Sequence, residues 1–270
     1  MAHADAVFAG SVPRLYETHL VPLIFQPYAI DIGRRVGSLR VERLLEIAAG
    51  TGVVTRVLAA TLGEGADIVA TDLNQAMLDE AATYPMPRPV EWRQADAMSL
   101  PFRDAEFDAV VCQFGVMFFP DKAKAFAEAR RVLRPGGTFL FNVWDRIEHN
   151  EFAECVTTAL KSIFPADPPR FLARTPHGHH DLASLARDLE SAGFSEPMQA
   201  VTVTERSVAS SARIPAVAYC QGTPLRNEIE ARDASRLAEA TSFATAALAR
   251  RFGDGAVDGK IQAHVVMIEA

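Results

Sequence analysis

The sequence predicts an α/β fold in which helices cover a mostly parallel sheet. One observation is the stretch LLEIAAGTG, Leu44 to Gly52, in which a continuous apolar run ends in a glycine turn. A second is that further apolar runs alternate with segments of helical character as far as Trp144. Strands that are buried on both faces have uninterrupted apolar runs, and Leu44, Leu45 and Ile47 form such a run. Strands and helices in alternation are typical of a doubly wound sheet.

The glycine turn and the next strand indicate a ligand site. Gly50 and Gly52 allow the backbone to turn sharply and to approach a ligand without an intervening Cβ atom. The residues that follow, Val53 to Ala60, have helical character, and the first N–H groups of that helix face the turn. Asp72 closes the second apolar run, 20 residues after Gly52. A carboxylate there can accept hydrogen bonds from both hydroxyls of a ribose, which indicates a nucleoside-bearing cofactor.

Taken alone, this turn has a second interpretation, a tight connection between strand and helix without a ligand. Thr55 stands where the dehydrogenase fingerprint G-x-G-x-x-G has its third glycine, so that fingerprint is not met. The elements that follow decide between the two interpretations. They are a helix over Asn74 to Tyr84, the segment Val90 to Ala97, a strand over Phe107 to Phe114, a helix over Phe126 to Leu133, the turn Arg134 to Gly137 and a strand over Thr138 to Trp144.

Four motifs in this region carry a family resemblance. After LLEIAAGTG the chain reads QADA, LPF, FDAVVCQFG and LRPGG, in that order. Over about residues 41–145 this order resembles the class I S-adenosylmethionine-dependent methyltransferases (methyltransferase type 11), in particular the small-molecule branch that contains the ubiquinone/menaquinone C-methyltransferases. The resemblance implies a Rossmann-like, doubly wound, seven-stranded and mostly parallel sheet with an antiparallel last strand and helical cap insertions. It also implies an enzyme that methylates a small molecule by in-line displacement and releases S-adenosylhomocysteine.

The resemblance also implies cofactor roles for residues at the matching positions. The turn Ala48 to Gly52 would hold the methionine part of S-adenosylmethionine, and Asp72 would bind the ribose. Asp96 with Ala97 would bind the exocyclic amine of the adenine, while Gln113 and Phe114 would line the methyl-transfer site. Ala48 replaces the family's usual first glycine, which bears on the local backbone geometry. The cofactor candidates are Phe25, Ala48, Ala49, Gly50, Thr51, Gly52, Asp72, Leu73, Met77, Asp96, Ala97, Gln113 and Phe114.

Composition indicates one cytoplasmic enzyme that acts on a small molecule. Of the 270 residues 49% are hydrophobic, yet no apolar run reaches 18 residues and Met1 to Gly10 does not resemble a signal peptide. The net charge is −7 and the basic residues are dispersed, unlike the basic face of a nucleic-acid-binding enzyme. Cys112, Cys155 and Cys220 form no C-x-x-C pair, so neither a disulfide framework nor a zinc site is expected. We therefore expect an apolar or aromatic small-molecule acceptor, no nucleic acid and no membrane span, and the oligomeric state stays open.

The first of three further segments, residues 1–40, is expected to cover the cofactor with helices. Ser11 and Pro13 indicate a helix start, and Pro22 and Pro27 are expected to interrupt the helix into two or three short pieces.

Aromatic residues in this segment are candidates for the wall of the cofactor or acceptor site. Tyr16, Phe25 and Tyr28 can serve there because an aromatic face stabilises a sulfonium. The phenol of Tyr16 can also orient a nucleophile, which makes Tyr16 a catalytic candidate. Plain packing is the alternative interpretation of all three side chains.

The second segment, residues 145–180, contains four prolines and is expected to form a partly helical cap over the acceptor. His149 and His180 are candidates for a general base there. The run HGHHD, His177 to Asp181, also invites a metal interpretation, but adjacent histidines point in different directions. We expect no metal, and we expect Asp181 to be the N-cap of a helix over Asp181 to Ala192.

The third segment, residues 207–260, lies between a sixth strand over Met198 to Thr204 and a seventh over Ile261 to Ile268. It is expected to be rich in helix over Ile214 to Phe252 and to contribute to the cap. The sequence thus predicts a single methyltransferase domain over residues 1–270. Its predicted parts are the cover 1–40, the cofactor-binding core 41–145, the cap insertions 145–180 and 207–260, and the end of the core sheet at 181–206 and 261–270.

Two other functions remain compatible with parts of the sequence. An NAD(P)-dependent oxidoreductase would share the glycine turn and Asp72, but it would give no reason for QADA and LRPGG together. A non-catalytic S-adenosylmethionine-binding regulator would keep every motif but have an unsuitable acceptor pocket.

Overall fold

The computed structural model describes residue 10 and residues 12–270, and these divide into two compact units. Ser11, the expected helix start, lies outside the described residues, as do residues 1–9. The sheet unit comprises Gln26–Val143, Asp181–Thr202 and His264–Ala270. The helical unit comprises the described residues up to Phe25 together with Trp144–His180 and Val203–Ala263. The single-domain organisation stays a prediction.

Seven strands form one sheet in the order β3-β2-β1-β4-β5-β7-β6. Strands β1 to β5 pair in parallel, and the last strands are antiparallel. This confirms the predicted fold class. The strands are β1 (Arg43–Ile47), β2 (Asp67–Asp72), β3 (Glu91–Gln94), β4 (Phe107–Gln113), β5 (Leu133–Trp144), β6 (Gln199–Ala209) and β7 (Val257–Glu269).

The register of the parallel strands brings the candidate cofactor residues to one edge of the sheet. Ile47 at the end of β1 pairs with Thr71 of β2, and Asp72 pairs with Gln94 of β3. On the other side of β1, Gln113 of β4 pairs with Asn142 of β5. Ligands of open parallel sheets bind at the carboxyl ends of the strands, so this edge is where a site is expected.

Helices connect the strands and cover the sheet. In the sheet unit α2 packs on α3 and α5 packs on α8, while in the helical unit α11 packs on both α6 and α9. The helices are α1 (Val12–Leu15), a π-helix (Tyr16–Phe25), α2 (Gln26–Gly37), α3 (Val53–Thr61), α4 (Gln75–Ala81), α5 (Lys122–Val132), α6 (Glu151–Ile163), α7 (Phe171–Arg174), α8 (Leu182–Ser191), α9 (Arg213–Gln221), α10 (Leu225–Asp233) and α11 (Leu237–Phe252), with 3₁₀ turns at Val116–Phe118, Ile147–His149 and Ala234–Arg236.

The N-terminal segment forms three consecutive helical pieces, within the predicted number, but Pro22 lies inside one of them and does not interrupt it. Helical residues run from Val12 to Gly37 without a gap. Pro22 lies within the π-helix, whose hydrogen bonds join residues five apart. Pro27 stands in the first turn of α2, where proline is tolerated.

Several other element boundaries differ from the sequence-based prediction. Strand β6 runs to Ala209 and not to Thr204, and β7 begins at Val257 and not at Ile261. Helix α5 begins at Lys122 and not at Phe126, because the side chain of Asp121 accepts a hydrogen bond from the N–H of Lys124 at 2.9 Å and caps the helix. Strand β5 begins at Leu133, so the segment Arg134 to Gly137 lies within the strand, where its register with β4 shifts and Gly136 has φ of 77°. It is held by backbone hydrogen bonds of 3.0 and 2.9 Å to Ala270, beyond the end of β7.

Asp181 is the N-cap of α8, as predicted. Its carboxylate accepts hydrogen bonds of 3.2 Å from the N–H groups of Ala183 and Ser184. We expect Asp181→Ala to lower the free energy of unfolding by about 1 kcal/mol, because both N–H groups lose an acceptor. The change is measured as a shift of the urea midpoint. Glu190→Ala, on the exposed end of the same helix, is the control; equal losses in the two variants would contradict the capping role.

Among the described helices, none combines the length and the apolar character needed to cross a bilayer. The cytoplasmic location stays a prediction.

Candidate active site

The turn after β1 is built from three residues with left-handed backbone. Ala48, Gly50 and Gly52 have φ values of 55°, 57° and 81°. Alanine therefore keeps the left-handed conformation at the position where the family usually has glycine, at some cost in strain. At Gly52 an added Cβ would also lie 2.8 Å from Cη2 of Trp92, so both the backbone angle and the packing require glycine there.

Asp72, at the end of β2, is tied to this turn. Its Oδ2 accepts a hydrogen bond from the N–H of Gly50 at 2.9 Å, and its Oδ1 accepts one from the N–H of Asn74 at 2.8 Å. The residue is only 7% exposed. Burial raises the pKa of Asp72 above its ordinary value, and the hydrogen bonds from Asn74 and Gly50 oppose that rise. A carboxylate has about four lone-pair directions, so the oxygens keep acceptor capacity for a ligand.

A hydroxyl in the turn is suited to a ligand. The Oγ1 atom of Thr51 is buried and makes no hydrogen bond within the described residues. The backbone carbonyl of Thr51, in contrast, accepts a hydrogen bond from Nη1 of Arg56 at 2.8 Å. A buried hydroxyl without a partner is destabilising, and a polar group of a bound ligand would remove that cost.

Glu46 lies in β1, just before the turn, and sequence reasoning did not single it out. It is 1% exposed and its Oε2 accepts a hydrogen bond of 2.6 Å from the hydroxyl of Thr55. Burial raises the pKa of Glu46 to about 8, although Thr55 and Arg56 favour the charged form. A glutamate within an apolar strand is the signal in the sequence that could have identified it.

The free energy of unfolding of the ligand-free protein should depend on the protonation of Glu46. In the folded chain its pKa is about 8, above the ordinary value of 4.5. The folded state therefore binds the extra proton between these values, and stability falls as pH rises through this window towards 8. Because one pKa unit is worth about 1.4 kcal/mol, we expect wild type to lose at least about 1.4 kcal/mol more than Glu46→Gln between pH 5.5 and 8. Urea unfolding of both proteins measures this, and parallel pH profiles would contradict it.

The residues after β2 and β3 include an exposed apolar side chain, Leu73, and an acid, Asp96. Leu73 is 51% exposed, whereas Met77 of α4 is 3% exposed and belongs to the core. Asp96 accepts a hydrogen bond at Oδ1 from the N–H of Met98 at 2.8 Å, which fixes its carboxylate, and Ala97 is buried beside it. The N–H of Ala95 donates to the carbonyl of Asp72 at 3.0 Å, so these two segments are joined.

The end of β4 approaches the turn closely. A Cβ at Gly115 would lie 2.5 Å from Cβ of Ala48. The preceding residue, Phe114, has φ of 52°, and its N–H donates to Oδ1 of Asn142 at 2.8 Å. The ring of Tyr28 lies edge-on to that of Phe114, with centroids 5.2 Å apart. Gln113 is half-buried at the end of the strand.

Asn142 was missed by sequence reasoning. It is fully buried in β5, and no acceptor for its Nδ2 is found in the described part of the chain. A single amide within the apolar run TFLFNVW is the signal that could have identified it. By accepting from Phe114 it holds the left-handed backbone at the end of β4.

The cofactor candidates and the catalytic candidates fall mostly in different units. Every cofactor candidate except Phe25 lies in the sheet unit, while Tyr16, His149 and His180 lie in the helical unit. Tyr16 stacks on Phe25 with ring centroids 4.8 Å apart, and Phe25 is tilted against Trp144 at 6.1 Å.

The two histidine candidates have different partners. Nδ1 of His149 lies 2.7 Å from Oδ2 of Asp145, while Nδ1 of His180 lies 2.9 Å from the backbone carbonyl of His177. Within the described residues, no group of three or more histidine, cysteine or acidic side chains is arranged to hold a metal ion.

The chain is similar to known methyltransferases. Residues 45–141 match the family described as a methyltransferase domain. The ubiquinone/menaquinone biosynthesis C-methyltransferase UbiE of Teredinibacter turnerae is 30% identical over 203 residues, covering 70% of this chain and 77% of the relative. The enzyme of the same name from Ectopseudomonas mendocina is 31% identical over 201 residues, covering 70% and 74%.

Solved structures share the fold. The YcgJ protein from Bacillus subtilis has a TM-score of 0.56 at 19% identity, covering 90% of this chain and 98% of that one. The phosphoethanolamine N-methyltransferase 2 of Haemonchus contortus, in complex with S-adenosyl-L-methionine, has a TM-score of 0.54 at 17% identity, covering 96% and 56%. The sequence relatives extend this likeness to the family: the chain belongs to the class I S-adenosylmethionine-dependent methyltransferases.

Proposed function

We propose that the turn Ala48–Gly52 holds the methionine part of S-adenosylmethionine, that Asp72 binds its ribose and that Asp96 with Ala97 binds its adenine. We further propose an apolar or aromatic small molecule as the methyl acceptor. The enzyme is an S-adenosylmethionine-dependent methyltransferase, so these proposals concern where the cofactor lies and what is methylated.

The observation that carries the cofactor proposal is the link between Asp72 and the turn. Asp72 accepts from the N–H of Gly50 at 2.9 Å, so the carboxylate and the left-handed turn are held as one rigid site. The ribose hydroxyls would donate to the remaining lone pairs of this carboxylate. Rigid placement of the charge limits the entropy lost on binding.

Other residues of the site fit the remaining parts of the cofactor. The unpartnered hydroxyl of Thr51 offers a hydrogen bond to the methionine part. The exposed side chain of Leu73 offers apolar contact to the adenine, and Asp96 offers a carboxylate oxygen to its amine. Met77, in contrast, is buried in the core and would act through the packing of α4.

The residues around the end of β4 would align the reaction. When bound, the cofactor supplies a methyl group on a sulfonium, and the thioether that leaves needs no acid. The protein therefore has to align the acceptor, exclude water and, where necessary, remove a proton. Asn142 holds the backbone of Phe114 in a fixed conformation, and the ring of Tyr28 packs against that of Phe114. This rigid corner would line the path of the methyl group.

The relatives support an acceptor with an aromatic body. They are named for C-methylation in ubiquinone and menaquinone biosynthesis, which also disfavours the alternative of an NAD(P)-dependent oxidoreductase. The net charge of −7 disfavours a nucleic-acid acceptor.

An acceptor panel tests the proposed substrate class. Wild type is incubated with S-adenosylmethionine and hydroquinones, catechols, primary amines, thiols or transfer RNA, and S-adenosylhomocysteine release and product mass are measured. We expect methylation of aromatic compounds and none of transfer RNA. Methylation of transfer RNA alone would contradict the proposal, and binding of the cofactor without turnover of any acceptor would favour the non-catalytic regulator.

A further inference from the structure

We propose that Arg56 and Tyr84 are positioning residues for the turn that would hold the methionine part of S-adenosylmethionine. Arg56 fixes the carbonyl of Thr51 in that turn, and the ring of Tyr84 supports the guanidinium of Arg56. This inference rests on the proposed function, because it assigns residues that act on the same site through its backbone. All three residues lie in the sheet unit, as does Asp72.

The guanidinium of Arg56 holds one peptide group of the turn. Its Nη1 donates to the carbonyl of Thr51 at 2.8 Å. Arginine keeps its positive charge at every working pH, and hydrogen bonds from charged donors are roughly twice as strong as neutral ones. Arg56 lies in the first turn of α3, so only a short piece of chain connects the donor with its acceptor.

The same peptide group is also held from its other side. The N–H of Gly52, which shares that peptide group with the carbonyl of Thr51, donates to the carbonyl of Ala49 at 3.0 Å. The N–H of Ala49 donates in turn to the carbonyl of Thr71 in β2 at 2.9 Å. Because a peptide group is planar and rigid, holding both its carbonyl and its N–H fixes the plane. The backbone of Thr51 therefore has one orientation.

That orientation decides where the hydroxyl of Thr51 points. Thr51 is fully buried, and its Oγ1 has no hydrogen-bond partner within the described residues. Threonine is β-branched, so its χ1 angle is restricted and the direction of its hydroxyl follows from its backbone. A hydroxyl that has to meet a polar group of the ligand gains affinity from being held in place before binding.

The ring of Tyr84, just after α4, supports the guanidinium. Cζ of Arg56 lies 5.1 Å from the centroid of that ring, a distance at which a cation and an aromatic face attract each other. The hydroxyl of Tyr84 donates to Oε1 of Glu80 at 3.1 Å, and the N–H of Tyr84 donates to the carbonyl of Ala81 at 3.2 Å. The last turn of α4 therefore holds the ring through both its hydroxyl and its backbone.

The end of α4 also packs directly on the turn. A Cβ added at Gly52 would lie 3.3 Å from Cβ of Ala81, which is fully buried. Trp92 of β3 closes the same place, with Cη2 2.8 Å from that added Cβ. The turn, the start of α3 and the end of α4 are thus packed together, and the contacts of Arg56 with Thr51 and Tyr84 add a polar link between them.

Arg56 also acts on the charge of Glu46. Burial raises the pKa of Glu46 to about 8, and the positive charge of Arg56 opposes that rise. Removal of Arg56 would therefore favour the protonated form of Glu46, which is a second route to a change in binding. Variants of Arg56 are for this reason also compared in a Glu46→Gln background, where the side chain at this position cannot ionise.

Calorimetric titration with S-adenosylhomocysteine tests the role of Arg56. Arg56→Met keeps the length of the side chain but has no donor. We expect it to weaken binding about tenfold, the loss typical of one hydrogen bond from a charged group. Arg56→Lys keeps a charged donor but loses the planar group that stacks on Tyr84, so it should recover only part of the affinity. The Glu46→Gln background should show the same loss on Arg56→Met.

Arg88→Met is the matched control for this replacement. The guanidinium of Arg88 donates to the carbonyls of Leu62, Gly63 and Ala66, which follow the opposite end of α3. Its replacement also takes an arginine away from backbone carbonyls of the sheet unit, but far along the helix from the turn. We expect Arg88→Met to bind S-adenosylhomocysteine like wild type, even if its urea midpoint falls.

A double-mutant cycle separates positioning from a general loss of stability. Thr51→Val removes the hydroxyl and keeps the shape of the side chain. If Arg56 acts through Thr51, the double variant should lose less affinity than the product of the two single losses, by at least about twofold. Losses that multiply without coupling would contradict action through Thr51.

A ligand without the methionine part shows where the effect acts. 5′-Methylthioadenosine has the adenine and the ribose of S-adenosylhomocysteine but lacks its amino acid group. Its affinity is measured by competition with S-adenosylhomocysteine. We expect wild type and Arg56→Met to bind this shorter ligand almost equally, whereas Asp72→Asn should weaken the binding of both ligands.

Two replacements of Tyr84 test the support of the guanidinium. Tyr84→Phe keeps the ring face and should bind S-adenosylhomocysteine like wild type. Tyr84→Leu removes the ring and should weaken binding about two- to fivefold, which corresponds to a partly exposed cation–π contact. Equal affinities of these two variants would remove the role of Tyr84.

Three results would overturn the role of Arg56. The first is an affinity of Arg56→Met for S-adenosylhomocysteine within about twofold of wild type, since a lost charged hydrogen bond costs more than that. The second is an equal loss in Arg88→Met, and the third is an equal loss for 5′-methylthioadenosine. Failure of the proposed function is distinguishable, because wild type would then bind no S-adenosylhomocysteine at all.

Discussion

Replacing Gly50 with valine is expected to abolish measurable binding of S-adenosylhomocysteine. Gly50 has φ of 57°, and its N–H donates to the carboxylate of Asp72. A β-branched side chain disfavours this conformation and would stand where the cofactor and the backbone meet. Calorimetric titration measures the loss, and far-ultraviolet circular dichroism shows whether the variant is folded.

Gly136→Val is a matched control for this experiment. Gly136 also has positive φ, 77°, and a Cβ there would meet no atom within 4 Å. It lies in β5, away from the candidate residues, so the variant carries similar backbone strain without an obstruction at the site. We expect it to bind S-adenosylhomocysteine like wild type. Normal binding by Gly50→Val, or equal loss in both variants, would show that the turn is not the cofactor site.

Asp72→Asn is expected to weaken the binding of S-adenosylhomocysteine at least tenfold. Hydrogen bonds to a charged group are worth about 1.5–3 kcal/mol each, and about 1.4 kcal/mol corresponds to a factor of ten. The amide also places an NH₂ group against the N–H of either Gly50 or Asn74. We therefore expect the ligand-free variant to be less thermally stable than wild type as well. Asp72 would then have a structural role, which the sequence did not suggest.

Asp67→Asn is the control for the charge change. Asp67 is exposed at the opposite end of β2, so its replacement removes the same charge from the same strand. The affinity of the Asp67→Asn variant for S-adenosylhomocysteine should equal that of wild type. Unchanged affinity in Asp72→Asn, with the fold intact, would remove the ribose assignment.

The central sheet could be predicted because its signals are local. Apolar runs give buried strands directly, and Gly50, Gly52 and Asp72 follow at fixed chain distances. Element boundaries depended on contacts between residues distant in sequence. Arg134 to Gly137 is part of β5 because Ala270 pairs with Gly136 and Gly137, and no local pattern indicates that partner.

The parts of the site that escaped prediction are those made by tertiary contact. Asn142 matters through its hydrogen bond to Phe114, 28 residues away. His149 was one of several histidines in the sequence, and its pairing with the buried Asp145 is visible only in the folded chain.

The most direct test of the central claim is a pair of calorimetric titrations of wild type, one with S-adenosylhomocysteine and one with NAD. If the turn after β1 and Asp72 form an S-adenosylmethionine site, S-adenosylhomocysteine should bind with one molecule per chain and NAD should give no binding heat. Saturable binding of NAD together with no binding of S-adenosylhomocysteine would contradict the account.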